Sequence, residues 1–131
     1  MIKHGDTFYL RNDHDIEHLY IVLSDPDQLS EQIFIVMVST RGDGKEECCT
    51  LQVGDHPFIR HDSVVVYRIP PAMLVSQSQL DQWKTQGRMR QKKIQESITA
   101  SVLERMCKGY ARSQYCTDRV YQILFRQGLI E

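Results

Sequence analysis

Apolar positions fall into two regimes along the chain. Up to about residue 68 they come as short, dense runs separated by turn-forming Gly, Asp, Asn and Pro. These are Gly5-Asp6-Thr7-Phe8-Tyr9-Leu10, His18-Leu19-Tyr20-Ile21-Val22-Leu23-Ser24, Ile33-Phe34-Ile35-Val36-Met37-Val38-Ser39-Thr40, Cys48-Cys49-Thr50-Leu51-Gln52-Val53 and Ser63-Val64-Val65-Val66-Tyr67-Arg68. Such β-branched and aromatic runs predict five strands. The second and third are too continuous for a strand with one wet face, so both of their faces are expected to be covered. Arg41-Gly42-Asp43-Gly44 offers two glycines to a hairpin, which predicts that residues 48–53 return antiparallel to the third strand. Five strands joined by such turns predict a closed or nearly closed small barrel, which hides its edges.

After Pro70-Pro71 the period changes. Ser76 or Ser78 can cap a short helix that runs through Lys84 and stops at Gly87. Ile94, Ile98, Val102, Met106 and Tyr110 recur every four residues with Leu103 beside them, predicting an amphipathic helix over 90–111. Val120, Ile123 and Leu124 mark a last helix between Thr117 and Gly128. The expected class is α+β, with a barrel over 1–70 and a helical extension over 76–131. A length of 131 residues suits one domain.

Composition narrows the setting. The longest apolar runs fall far short of the roughly 20 residues of a bilayer crossing, and Met1 to Asp6 leads into no signal-peptide stretch. A cytoplasmic protein with no membrane partner is expected. Cys48, Cys49, Cys107 and Cys116 form neither a dense disulfide framework nor a C-x-x-C pair, and the spacing of His14, His18, His56 and His61 fits no common zinc site. Reduced thiols, no metal and no cofactor follow as expectations.

The formal net charge of −1 hides a division, because residues 1–75 hold six Lys/Arg against twelve Asp/Glu and residues 76–131 hold ten against five. Either the halves attract one another, or an anionic ligand meets mainly the helical half. Arg88, Arg90, Lys92 and Lys93 place four cations in six residues at the expected entrance to the long helix. There they oppose the helix dipole, which favours a patch that tracks a phosphate backbone; the other reading is a solvated charged face.

The N-terminal half resembles the PemK and MazF family of toxin ribonucleases. The matching order is Gly5-Asp6 before an apolar strand, then His18-Leu19-Tyr20-Ile21-Val22-Leu23-Ser24-Asp25-Pro26, then Ile35-Val36-Met37-Val38-Ser39-Thr40 ending in hydroxyls, over roughly the first 70 residues. The resemblance implies an SH3-like barrel, metal-free cutting of single-stranded RNA, a homodimer, and restraint by a cognate antitoxin protein. It also implies a catalytic arginine just before the second strand and a hydroxyl at the end of the third. Ser39 or Thr40 meets the second position, whereas His18 stands at the first and Arg11 lies too far upstream to replace it.

Metal-free RNA cleavage by the substrate's own 2′-hydroxyl needs a base, an acid and cationic donors. The chain offers His18 at a strand start and His56 and His61 in the turn region 54–61. His18 and His56 are the acid/base candidates, because Gly54-Asp55-His56-Pro57-Phe58 combines turn residues, a rigid proline and an apolar anchor around one ring. Arg60 or Arg68 would steady the phosphate, Ser39 or Thr40 would position it, and Arg41, Arg88, Arg90, Lys92 and Lys93 would bind the rest of the RNA. The rival expectation, from a different class, is a non-catalytic interaction module that uses the same barrel and helices to bind a protein partner.

Overall fold

The computed structural model describes residues 2–90 and 97–131. Among the described residues, seven strands and three helices follow in the order Thr7–Arg11 (β1), Glu17–Val22 (β2), Ile33–Thr40 (β3), Thr50–Leu51 (β4), Ser63–Val66 (β5), Met73–Val75 (β6), Gln77–Thr85 (α1), Met89–Arg90 (β7), Ala100–Arg112 (α2) and Asp118–Arg126 (α3). All pairings are antiparallel, in the order β4-β5-β3-β2-β1-β7. β3 is long enough to hold two partners along one edge, β6 against Ile33 to Ile35 and β5 against Met37 to Thr40, while β2 takes the other edge.

Alternation along these strands explains the continuous apolar runs. Leu19 and Ile21 of β2, with Phe34, Val36 and Val38 of β3, point to one face and pack with Val102, Leu103, Met106 and Tyr110 of α2 and Val120 and Leu124 of α3. Tyr20, Val22, Ile33 and Ile35 point the other way, onto Leu80 and Trp83 of α1. Both faces are covered, as the runs predict. The Tyr67 hydroxyl, just after β5, donates to the Met106 carbonyl across 2.5 Å, and the rings of Phe34 and Tyr67 meet Tyr110 edge-on at 5.0 and 5.5 Å. Gly109 lets this seam close, because a Cβ there would lie 2.7 Å from the Tyr67 hydroxyl and 2.8 Å from the Cys48 carbonyl oxygen.

Hydroxyl side chains cap all three described helices, at the expected places for α1 and α3. Ser76, Thr99 and Thr117 each accept from the backbone N–H three residues on, in Gln79, Val102 and Val120. Gly87 and Gly128 follow the ends of α1 and α3 with φ of 73° and 72°, the left-handed region that glycine enters without strain.

Four expectations are corrected. The sheet is open among the described residues rather than a closed five-stranded barrel, since β4 is two residues long and pairs only with β5, and β7 occupies the outer edge of β1. Short end strands of this kind blunt an edge without closing it. The third strand does not form a hairpin with residues 48–53; β5 takes that place, and β4 shrinks to Thr50–Leu51 with Val53 67 % exposed. Two short strands, β6 and β7, lie beyond residue 68. The long helix begins at Ala100, because Met89–Arg90 pairs with β1 and Thr99 caps α2. Arg88 and Arg90 therefore sit at a sheet edge instead of opposing a helix dipole, while Lys92, Lys93 and Ile94 lie outside the described residues.

Candidate functional site

The α2 and α3 face of the sheet is covered over Ile21 and Val36 but leaves the strand ends open. One step beyond Leu19 and Val38 on that face come Glu17 and Thr40, and Tyr9 stands directly opposite Leu19. The segment leading into β5 folds over them, held by Arg41 N–H donating to the Asp62 carbonyl at 3.1 Å and by Ser63 pairing with Thr40. The result is a cleft of about 310 Å³ whose walls include Tyr9, Glu17, Thr40, Phe58, Arg60 and His61.

Its polar groups are ordered by short contacts. Thr40 Oγ1 lies 2.9 Å from His61 Nε2, which leaves the other ring nitrogen of His61 outside this bond. Arg90 grips Glu17 with two parallel hydrogen bonds of 2.5 and 2.7 Å, and its guanidinium sits 5.0 Å from the centre of the Tyr9 ring. The Tyr9 and Phe58 rings lie 5.6 Å apart. Partial burial pushes the Tyr9 phenol up from its ordinary value, against the pull of Arg90 and Arg60, so it stays a proton-bearing donor at neutral pH. The cleft thus joins an imidazole–hydroxyl pair, an arginine, a phenol and an aromatic wall. That set can orient a phosphodiester and move a proton beside it.

The residues singled out from sequence divide between this cleft and other places. Thr40 and Arg60 are in it. His18 and Ser39 reach its margin, but alternation turns them to the opposite face, with Tyr20 and Met37, and the Ser39 hydroxyl accepts from Lys45 Nζ at 3.2 Å. His56 is not in the cleft wall: it is 3 % exposed, its Nδ1 accepts from the Phe58 N–H at 3.2 Å, and its ring meets Phe58 edge-on at 4.8 Å. Arg68 lines a separate groove with Lys45 and Tyr115. Arg41 lies in the hollow on the far side of Thr40 and His61, bonded to Glu47 at 2.7 and 3.0 Å. Arg88 turns inward along the sheet edge and donates to the Arg11 carbonyl at 3.3 Å.

Tyr9 and Glu17 carry no motif in the sequence, and Phe58 is visible there only as the apolar anchor of the 54–58 turn. The signal that reaches the first two is period-two alternation, since Tyr9, Glu17 and Leu19 share a face in the β1–β2 register. His61 is visible in the sequence, but the rigid turn around His56 draws the acid/base role to the wrong ring for this cleft. Among the described residues no group of three or more His, Cys, Asp or Glu side chains is placed to hold a metal ion, and no helix is long and apolar enough to cross a membrane. The chain matches no family model, no curated protein and no solved structure.

Proposed function

We propose that the protein is a toxin-like endoribonuclease that cuts single-stranded RNA through its 2′-hydroxyl, with the Thr40–His61 cleft as its centre and an SH3-like sheet of the PemK and MazF kind as its frame. The observation that carries this reading is the 2.9 Å contact between Thr40 and His61 in a cleft that Arg60 and Tyr9 also line. Thr40 stands at the end of the third strand, where the family it resembles places its hydroxyl.

In this reading the Thr40 hydroxyl fixes the His61 ring through Nε2, and Nδ1 takes the proton of the substrate's 2′-hydroxyl. The 2′-oxygen attacks phosphorus, the bond from phosphorus to the 5′-oxygen breaks, and the imidazolium returns its proton to that oxygen. Arg60 and the Tyr9 phenol face the charge that gathers on the phosphorane. The products are a 2′,3′-cyclic phosphate and a 5′-hydroxyl. Phe58 and Tyr9 offer rings on which an unstacked base can lie, which suits single strands over duplex. A homodimer and a cognate antitoxin protein belong to the same proposal.

One observation favours the rival, a module that binds a protein partner without catalysis: Arg41 and Arg90 already have their charges met by Glu47 and Glu17. The test is incubation of the purified protein, freed of co-purifying partners, with single-stranded RNA in the presence of chelator. Cleavage that falls at least a hundredfold in folded His61→Ala supports the enzyme. No cleavage by the unaltered chain under any tested condition gives the case to the interaction module.

A further inference from the structure

Two further concavities adjoin the cleft at the end of β3, and charge tells them apart. The hollow beyond Thr40 and His61 sets Asp43, Glu47 and Asp62 against Arg41, whose guanidinium Glu47 already holds. A phosphate chain meets net negative charge there. The other is a groove of about 310 Å³ that shares Ser39 with the cleft and carries Lys45, Arg68 and Tyr115 in its walls.

The groove is apolar along Met37 and Val66, which face one another across the β3–β5 pairing. Its rim is an open strand edge. β4 covers β5 only as far as Val65, whose N–H donates to the Cys49 carbonyl at 3.0 Å. By the alternation of ladder bonds the Tyr67 N–H turns to the same edge, and among the described residues no acceptor meets it. The Tyr67 ring is buried, so its backbone is what borders the groove. Lys45 Nζ donates to the Ser39 hydroxyl at 3.2 Å and to the Thr40 carbonyl at 2.6 Å, and Arg68 is exposed. Neither cation forms an ion pair among the described residues. Glu46 also lines the groove, but its two oxygens turn to the connection between α2 and α3, where they accept from the Ser113 hydroxyl at 2.7 Å and the Gln114 N–H at 3.1 Å. Two cations and a backbone donor therefore stand against one carboxylate that is already engaged.

We propose that this groove holds the nucleotide next to the scissile phosphate, with its phosphate at Lys45, Arg68 and the Tyr67 N–H and its base against Met37 and Tyr115. The inference rests on the ribonuclease reading of the cleft and extends it from one phosphodiester to a short single strand. Continuity between the two sites carries it. Lys45 binds the carbonyl of the residue whose hydroxyl holds His61, so Nζ lies within about 7 Å of that hydroxyl, the separation of neighbouring phosphates in an extended strand. Cationic donors beside an aromatic ring and apolar surface are the pairing on which single-strand sites are built. Arg68 then serves the neighbouring phosphate, and Arg60 the one that reacts.

The probe is 2′-O-methyl hexauridylate, which lacks the 2′-hydroxyl nucleophile and so stays whole. It is added to the full chain with NMR detection of the methyl groups of Thr40 in the cleft and of Met37 and Val66 in the groove. Saturable shifts at all three are expected. Anisotropy of the labelled probe across a salt series should show Arg68→Gln binding about tenfold more weakly, with a log-salt slope smaller by about 0.7. Arg68→Lys should keep the slope, and folded Tyr115→Ala should bind about fivefold more weakly or worse. Shifts at Thr40 without shifts at Met37 and Val66, or unchanged affinity and slope in Arg68→Gln, would overturn the groove and leave the cleft standing. Shifts at none of the three would remove both. Shifts at Met37 and Val66 in a chain that cuts no RNA would support the groove as a single-strand site and overturn the cleavage reading alone.

Discussion

The phenol of Tyr67 donates to the carbonyl of Met106 across 2.5 Å, tying the end of β5 to the middle of α2 at a point where Gly109 has room for no side chain. The Tyr67 hydroxyl is almost wholly buried, and burial pushes its pKa far up, so it keeps the proton it donates at neutral pH.

Glycine inside a helix normally costs about 1 kcal/mol relative to alanine, so Gly109→Ala would stabilise an isolated α2. Here the sign should reverse. A Cβ would meet Cys48 backbone at 2.8 Å and the Tyr67 hydroxyl at 2.7 Å, and backbone cannot yield as a flexible side-chain end does. Urea unfolding should show Gly109→Ala less stable than the unaltered chain, and Tyr67→Phe, which removes a buried second bond to a carbonyl that the helix already uses, less stable by about 0.5–1.5 kcal/mol. A gain in stability for Gly109→Ala would mean the seam is looser than described.

Acid sensitivity should trace to Asp27. Its burial opposes ionisation, but bonds from Arg126 at 3.0 Å and from the Ser30 N–H and hydroxyl at 3.1 and 3.0 Å outweigh that and hold its pKa below the ordinary value. A carboxylate lowered by folding contributes stability that is fully present above its unfolded pKa of about 3.9 and is lost as pH falls through its lower folded value. The urea midpoint should therefore drop below about pH 4. In Asp27→Asn the midpoint should start lower at neutral pH and lose part of that slope; an unchanged slope would place the acid sensitivity elsewhere.

Periodicity made the covered strands β2 and β3, a first cap at Ser76 or Ser78 and a last helix starting after Thr117 legible, because each depends on a few neighbours in sequence. The partner of β3 was not legible. Residues 48–53 and 63–68 are both strand-like, and β5 wins the long edge because Val64 and Val65 bury fully there while Val53 stays in water. The same limit applies at the cleft. Thr40 and Arg60 could be named from their residue types, but only strand register places Glu17 and Tyr9 beside them and turns His18 and Ser39 to the opposite face. Nor does sequence spacing reveal that Arg90 is claimed by Glu17, 73 positions away.

That pairing changes which cations should matter for RNA. Arg60 lines the cleft with no carboxylate partner among the described residues, whereas Arg90 and Arg41 are each held by a glutamate. Arg60→Gln should weaken single-stranded RNA binding and reduce its dependence on log salt by about 0.7, the share of one phosphate contact. Arg90→Gln should change that slope by much less. Fluorescence anisotropy across a salt series separates the two, and equal slopes for both variants would mean the Glu17 bond opens when RNA arrives.

The most direct measurement is end-group analysis of a short single-stranded RNA after one turnover, in chelator, by the unaltered protein and by folded His61→Ala, Thr40→Val and His56→Ala. A 2′,3′-cyclic phosphate on the upstream fragment is expected. The rate should fall about a hundredfold to ten-thousandfold in His61→Ala, less in Thr40→Val, and little in His56→Ala. A 5′-phosphate on the downstream fragment, or a folded His61→Ala protein that cuts at the full rate, would contradict the assignment of this cleft as the site of cleavage.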